Sequence, residues 1–284
     1  MNYLVSLLLI LPFFCLAQEQ EPLEFDTKYY ACEDQWVVFP KEATDFTHLY
    51  GFIYLDEEAG FTFNLEGKLE VNDAGQLMAV PKEDEENASI KIRLQPTTSL
   101  VAVLSSKQLE ELKLPKEPEW LHFYKKSDDE IASLLARGYH YNHVGASELA
   151  LPYLKEAYEK KPILEGLAFE LAYAYNATEQ HKKATDILIK ALNQDPKNYF
   201  FYRELGFAQV RLGQIKEAEK TYEKGIRLSN DAYQKSEMGI NMTQAYFKLK
   251  DKKGFKKWAK ITRKYAPTDT PFLRYISYWE KELK

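Results

Sequence analysis

A period of 34 residues between positions 131 and 269 constrains this chain more than any other feature. Sliding the sequence against itself by 34 sets Pro162 on Pro196, Tyr141 on Tyr175 and Leu171 on Leu205. It also sets Ala150 on Ala184 and Ala218, and Ala157 on Ala191 and Gly225. Small, aromatic and proline residues held in one register mark a single unit copied along the chain. A unit of that length is a helix pair that cannot bury its apolar face alone, so neighbours must stack into one continuous core.

Three units, 131–164, 165–198 and 199–232, carry the pattern. The first supplies Leu134, Arg137, Gly138, Tyr141, Ala150, Leu154 and Pro162. The second supplies Ala168, Leu171, Ala172, Tyr175, Ala184, Leu188 and Pro196. The third supplies Tyr202, Leu205, Gly206, Gln209, Ala218 and Tyr222, with Asn230 where the proline belongs. Gly138, Ala172 and Gly206 have almost no side chain, so the second helix of each pair is expected to approach them closely at Ala150, Ala184 and Ala218. The prolines fall where each second helix must stop. After a slip of about three residues, a fourth unit at 236–269 reads Gly239, Met242, Thr243, Tyr246, Phe255, Ala259 and Pro267. Phe255 replaces the small residue, so these helices are expected to lie further apart. Ser127 with Glu130 forms a capping box at the start of the array. Pro271 opens a final helix, 272–283, suited to covering the last apolar face.

These residues make 131–284, about half the chain, resemble the tetratricopeptide repeat family. The resemblance implies a helical solenoid that presents a concave face to a protein or peptide, and little more. In that family the face is lined by first-helix residues. The corresponding positions are Tyr139, Tyr173 and Phe207, with Leu135, Phe169, Phe200, Arg203 and Arg211 beside them and Asn142 and Asn176 a turn further on. Two readings of the aromatics stand: packing between helices, or an apolar groove that anchors a partner, with the Asn side chains holding its backbone. Leu135 and Tyr139 occupy places where relatives that capture acidic chain termini carry a Lys and Asn clamp, so that clamp is absent.

The amino-terminal half reads differently. Residues 1–17 hold an apolar run too short to span a bilayer, ending in Cys15-Leu16-Ala17; a cleaved export signal is expected, with Gln18 as the mature terminus. Cys32 would then be the only cysteine, either a buried small hydrophobe or a reactive thiol. From 18 to 125 the pattern is that of strands: Trp36-Val37-Val38-Phe39, then 49–55, then 61–65 continuing past a Gly67 bulge or turn to 69–71. Asn72-Asp73-Ala74-Gly75 offers a hairpin turn before 77–80. Ile90, Ile92 and Leu94 alternate along 89–94, and the apolar run 100–104 is expected to be central. Ser105 and Gln108 cap a short helix at 106–112, and Pro115 and Pro118 stiffen the connector to the aromatic run 120–124. Six or seven antiparallel strands are expected. The fold class is therefore α+β, with a β-rich domain at 18–125 and the repeat array at 127–284.

No glycine-rich phosphate loop, metal-binding Cys/His spacing or nucleophile elbow occurs. His48 stands alone, and Asp56 with Glu57 lies in a turn. His140 and His143 are three apart on one helix, but no Asp, Glu or Cys completes a metal site. Neither a cofactor nor a metal is expected. Residues 18–130 hold 11 basic and 25 acidic residues, a net of −14, whereas 131–284 hold 27 and 18, a net of +9. Lys253, Lys257, Lys260 and Lys264 lie on one helix of the array. They read as a solvated face, or as a surface for the acidic β-domain, an acidic partner or anionic lipid. The overall balance of −5 and an exported location argue against nucleic acid. The leading reading is a non-enzymatic exported scaffold for a protein or peptide, associated with the cell envelope, periplasm or medium. The alternative is a protein whose β-domain holds a glycan or other small ligand while the repeats assemble it.

Overall fold

The computed structural model describes residues 21–81, 89–125 and 129–283. The expected export segment, the acidic loop at 82–87 and Ser127 lie outside them. The chain forms two compact units. One takes residues up to Ile53, Asn64–Lys91 and Ser99–Pro118; the other takes Tyr54–Phe63, Ile92–Thr98 and Glu119–Lys284.

The strands are β1 (Gln35–Val38), β2 (His48–Asp56), β3 (Gly60–Val71), β4 (Leu77–Ala79), β5 (Ile90–Arg93) and β6 (Ala102–Val103). They form one sheet in the order β4-β3-β2-β1-β6, with β5 paired to β3. β1 runs antiparallel to β2 and β6, and β4 antiparallel to β3. Val37, Val38, Phe52 and Ile53 are fully buried and make the heart of the first unit. Asn72 builds the β3–β4 turn, its Oδ1 accepting from the amides of Ala74 and Gln76.

Three expectations change. β3 continues through Gly67, because pairing to β4 at Leu69↔Ala79 extends the ladder past it. The apolar run 100–104 is not central; β6 lies at the end of the strand order, and Val101 is buried because Thr27 bridges to it. The run 120–124 is helical, a 3-10 turn (Glu119–Leu121) followed by α2 (His122–Lys125). Ser105 and Gln108 do cap α1 (Ser106–Glu111) reciprocally. His48 is structural, its Nδ1 2.9 Å from the Phe39 carbonyl and its ring stacked on Phe25. Cys32 is fully buried, its thiol donates to the Lys28 carbonyl at 3.4 Å, and burial pushes its pKa up to about 11. That environment holds the inert thiol form.

In the second unit the helices come in tetratricopeptide-like pairs: α3 (Glu130–His143) with α4 (Ser147–Lys160), α5 (Leu167–Ala177) with α6 (His181–Gln194), α7 (Tyr199–Arg211) with α8 (Ile215–Leu228), and α9 (Ala232–Lys248) with α10 (Lys252–Tyr265). α11 (Phe272–Glu282) follows. Asp129 caps α3, accepting from the amides of Ile131 and Ala132. Each first helix is left through a residue of positive φ: Gly145, Glu179, Gly213 and Lys250. The first three are 34 apart and the last is 37 further on, so the slip of three lies before this turn. α4, α6 and α10 each stop just before a dipeptide ending in proline, at Lys161-Pro162, Asp195-Pro196 and Ala266-Pro267. α8 stops before Ser229, whose hydroxyl accepts from the Asp231 amide instead.

The small residues work against a different partner from the one expected. A Cβ on Gly138 would lie 2.3 Å from the Leu154 side chain, and one on Gly206 would lie 2.5 Å from the Tyr222 ring. The glycine therefore receives the large residue of the second helix, while Ala150 and Ala218 are buried beside it. The fourth pair is close rather than splayed, because the sizes are exchanged. A Cβ on Gly254 of α10 would meet the Tyr246 ring of α9 at 2.3 Å, and one on Gly239 would meet Thr262 Oγ1 at 2.7 Å. Thr243 and Thr262 hydroxyls share a hydrogen bond of 3.2 Å between the helices. Space saved at Gly254 and Gly239 leaves room for fully enclosed Phe255 and Trp258.

Candidate functional site

The first helices α3, α5, α7 and α9 pack successively on one another and create a shared face. Tyr139 and Tyr173 stand on it at 46% and 37% exposure, with half-buried Phe169 and Phe207 between and beyond them. Three successive cavities follow the helices. The first, about 240 Å³, is lined by Tyr139, Asn142, His143, Phe169, Glu170, Tyr173 and Arg203. The second, about 250 Å³, shares Tyr173 and Arg203 and adds Asn176, Glu204, Phe207, Glu237 and Asn241. The third, about 330 Å³, shares Phe207 and Asn241 and reaches Arg211, Ile215 and Leu249.

Of the residues expected on this face, Tyr139, Tyr173, Phe207, Phe169, Arg203 and Arg211 line these cavities. Phe200 packs edge-on against Phe169, with centroids 5.7 Å apart, and is 37% exposed. Leu135 is half-buried on α3 and lines none of the three. The asparagines do not present free amides. Asn142 Nδ2 donates to the Glu170 carbonyl (3.0 Å) and carboxylate (2.8 Å), and Asn176 Nδ2 repeats this on Glu204 at 3.1 and 3.0 Å. Both are buried, so they lock each first helix to the next.

Sequence reading missed Glu170, Glu204 and Glu237. The signal was present in part, because Glu170 and Glu204 are 34 apart and each follows its Asn partner by 28 residues. Burial raises the Glu170 and Glu237 pKa values above the usual carboxylate range, and the nearby Glu204 charge adds to this. Arg203 stands among them: Nε donates to Glu204 Oε1 at 3.0 Å, and Nη1 lies 3.7 Å from Glu237 Oε2. Its guanidinium also lies 5.4 Å from the Phe169 and Phe200 ring centres.

The basic helix is partly neutralised. Lys257 of α10 bridges Glu219 (2.9 Å) and Glu223 (2.8 Å) on α8, and Arg263 forks onto Glu280. Lys253 and Lys260 are exposed, and Lys264 lies over Tyr265. Asp56 closes a turn by accepting from the amides of Glu58 and Ala59, and Glu57 accepts from Ser133 Oγ. His140 is buried with Nε2 2.9 Å from the Glu57 carbonyl, while His143 is exposed. Among the described residues, no three His, Cys, Asp or Glu side chains gather to hold a metal, and no helix is long and apolar enough to cross a membrane.

No protein-family model matches the chain, and no curated protein matches it. Solved structures are similar over part of the chain. TTC0263, described as a thermophilic TPR protein in Thermus thermophilus, is 16% identical over 62% of this chain and 92% of its own, with a TM-score of 0.48. MamA (MSR-1) is 20% identical over 51% of this chain and 85% of its own, with a TM-score of 0.42.

Proposed function

We propose that this chain is an exported scaffold whose repeat array holds a segment of a partner protein along the face of α3, α5, α7 and α9. The observation that carries this is the series of exposed Tyr139, exposed Tyr173 and half-buried Phe207, one ring per unit, at three cavities that share lining residues. Large, partly exposed rings lose little entropy on contact and suit the anchoring of apolar side chains. The β-rich segment acts as a second module, and no cofactor takes part. Export rests on the apolar run before Gln18; intact-mass measurement of the exported protein should give Gln18 as its first residue, and a retained Met1 or a lipid on Cys15 would contradict it.

The groove is tested by replacing Tyr139, Tyr173 and Phe207 together by Ala. Each anchor is worth roughly 1–3 kcal/mol to binding, so retention of an envelope partner should fall by orders of magnitude. The variant should melt close to the parent. A variant that unfolds places the rings in the core, and one that retains the partner unchanged removes the groove from the function.

A further inference from the structure

Around the first two cavities the inner face carries a charge opposite to that of the array as a whole, whereas Arg211 and Lys248 line the third. Glu170, Glu204 and Glu237 stand around one guanidinium, Arg203, at the two cavities that share Tyr173. Arg203 is already held by Glu204 at 3.0 Å and by the Gln234 side chain at 2.6 Å. One cation against three carboxylates leaves this stretch net negative, although the helices around it average positive. Asn142, only 4% exposed, lines the first cavity, and its Oδ1 has no hydrogen-bond partner among the described residues. Carboxylate and amide oxygens thus outnumber the one guanidinium, Arg203, at these two cavities, and aromatic rings stand beside them. Three side-chain-sized cavities in a row suit alternate residues of an extended segment better than a helix or a flat surface.

Resting on the groove reading above, we propose that the segment docked there is an extended peptide carrying an Arg or Lys side chain. Its cation sits at Tyr173 within reach of Glu170 and Glu237, and its apolar neighbours fill the cavities beside Tyr139 and Phe207. A cation on an aromatic wall gains from the ring quadrupole and from charge-assisted hydrogen bonds to the carboxylates. An acidic segment meets like charge at the same place and is rejected.

Panning the full mature chain against a displayed library of random extended peptides tests this. Enriched sequences should carry Arg or Lys with apolar residues on either side. A synthetic, fluorescein-labelled copy of one of them should lose roughly tenfold or more in affinity when the basic residue becomes citrulline or norleucine. Glu237→Gln should weaken the basic peptide several-fold and leave the neutral copy unchanged, and added salt should act in the same direction. Enrichment of uncharged or acidic peptides that are lost in the Tyr139, Tyr173, Phe207→Ala variant overturns the basic preference while the groove stands. Peptides that survive in that variant, an empty selection, or occupation of the face by a second copy of the chain overturn both.

Discussion

The two ends of the helical array are closed by unrelated means. At the first end, the turn between β2 and β3 lies on α3. His140 Nε2 donates to the Glu57 carbonyl at 2.9 Å, Ser133 bonds the Glu57 carboxylate, and Phe61 meets Tyr141 edge-on at 5.1 Å. At the last end, helix α11 buries Ile276 completely and stacks Trp279 on Phe247 at 5.5 Å. Stacked repeats expose an apolar face at each terminus, and something must cover it. Here one cover is a turn that combines polar contacts through Glu57 with the Phe61 ring, the other an apolar helix. The cover need not be a repeat; it needs only to match the face.

Truncating the apolar anchor of each cover should have the largest effects. Phe61→Ala should cost about 3–5 kcal/mol and Ile276→Ala about 2–5 kcal/mol, each loosening the nearest pair first. Amide exchange would show α3–α4 or α9–α10 opening early, respectively. Uniform loss of protection along all four pairs would mean that the ends are not independent covers.

A smaller effect is expected where the two covers differ in backbone. Gly60 has φ +85, and a Cβ there would lie 3.0 Å from His140 Nδ1. Gly60→Ala should cost about 1–2 kcal/mol from the left-handed conformation alone, with further crowding at His140. α11 has no such position, and its exposed Ser277→Ala should be near neutral in thermal melts. An equal loss at both sites would erase the contrast.

The interior of the array sharpens the same point about matching surfaces. Ala is a better helix former than Gly by about 1 kcal/mol. Even so, Gly206→Ala and Gly254→Ala should each destabilise by about 1–3 kcal/mol net, because Tyr222 and Tyr246 already fill the space. Chemical denaturation checks both. If Gly254→Ala stabilises, the fourth pair is the looser one after all.

These contacts explain what could be read in advance. The 34-residue register, the prolines and the covering helix were legible because each repeats or punctuates a local pattern. Phe255 misled because its size was judged alone; Gly254, its neighbour, supplies the compensating room, and only the helix crossing reveals the pair. The cover on α3 was invisible because Phe61 and Gly60 are strand and turn residues 80 positions from Tyr141 and His140. On the shared face of the first helices, the rings Tyr139, Tyr173 and Phe207 were legible from their 34-residue spacing. The roles of Asn142 and Asn176 were not, since a buried amide and an exposed one have the same sequence signature.

The least dramatic difference between the two ends is the one that pH should reveal. Burial lowers the His140 pKa below its ordinary 6.5, helped by the charges of His143 and Arg93, while the Glu57 carbonyl and Asp56 pull the other way. A carbonyl only accepts, so Nε2 carries the proton of the neutral ring. Between the lowered folded value and about 6.5, the unfolded chain binds more protons than the folded one. The contribution of this group is therefore complete above about pH 6.5 and is lost as pH falls through that window. Glu170 and Glu237, with raised values, contribute in the opposite sense as pH falls towards 4.5, so the informative quantity is a difference between variants. His140→Gln keeps a donor for the Glu57 carbonyl and cannot titrate. Urea denaturation from about pH 7.5 to about pH 5.5 should show the parent losing stability relative to this variant. Amide protection near Glu57 should weaken over the same window in the parent alone. His181, also lowered by burial, lies within the array, so His181→Gln should change the global slope without touching that local protection. Parallel curves for the parent and His140→Gln would remove the titrating contact from the first cover, leaving both ends equally indifferent to pH.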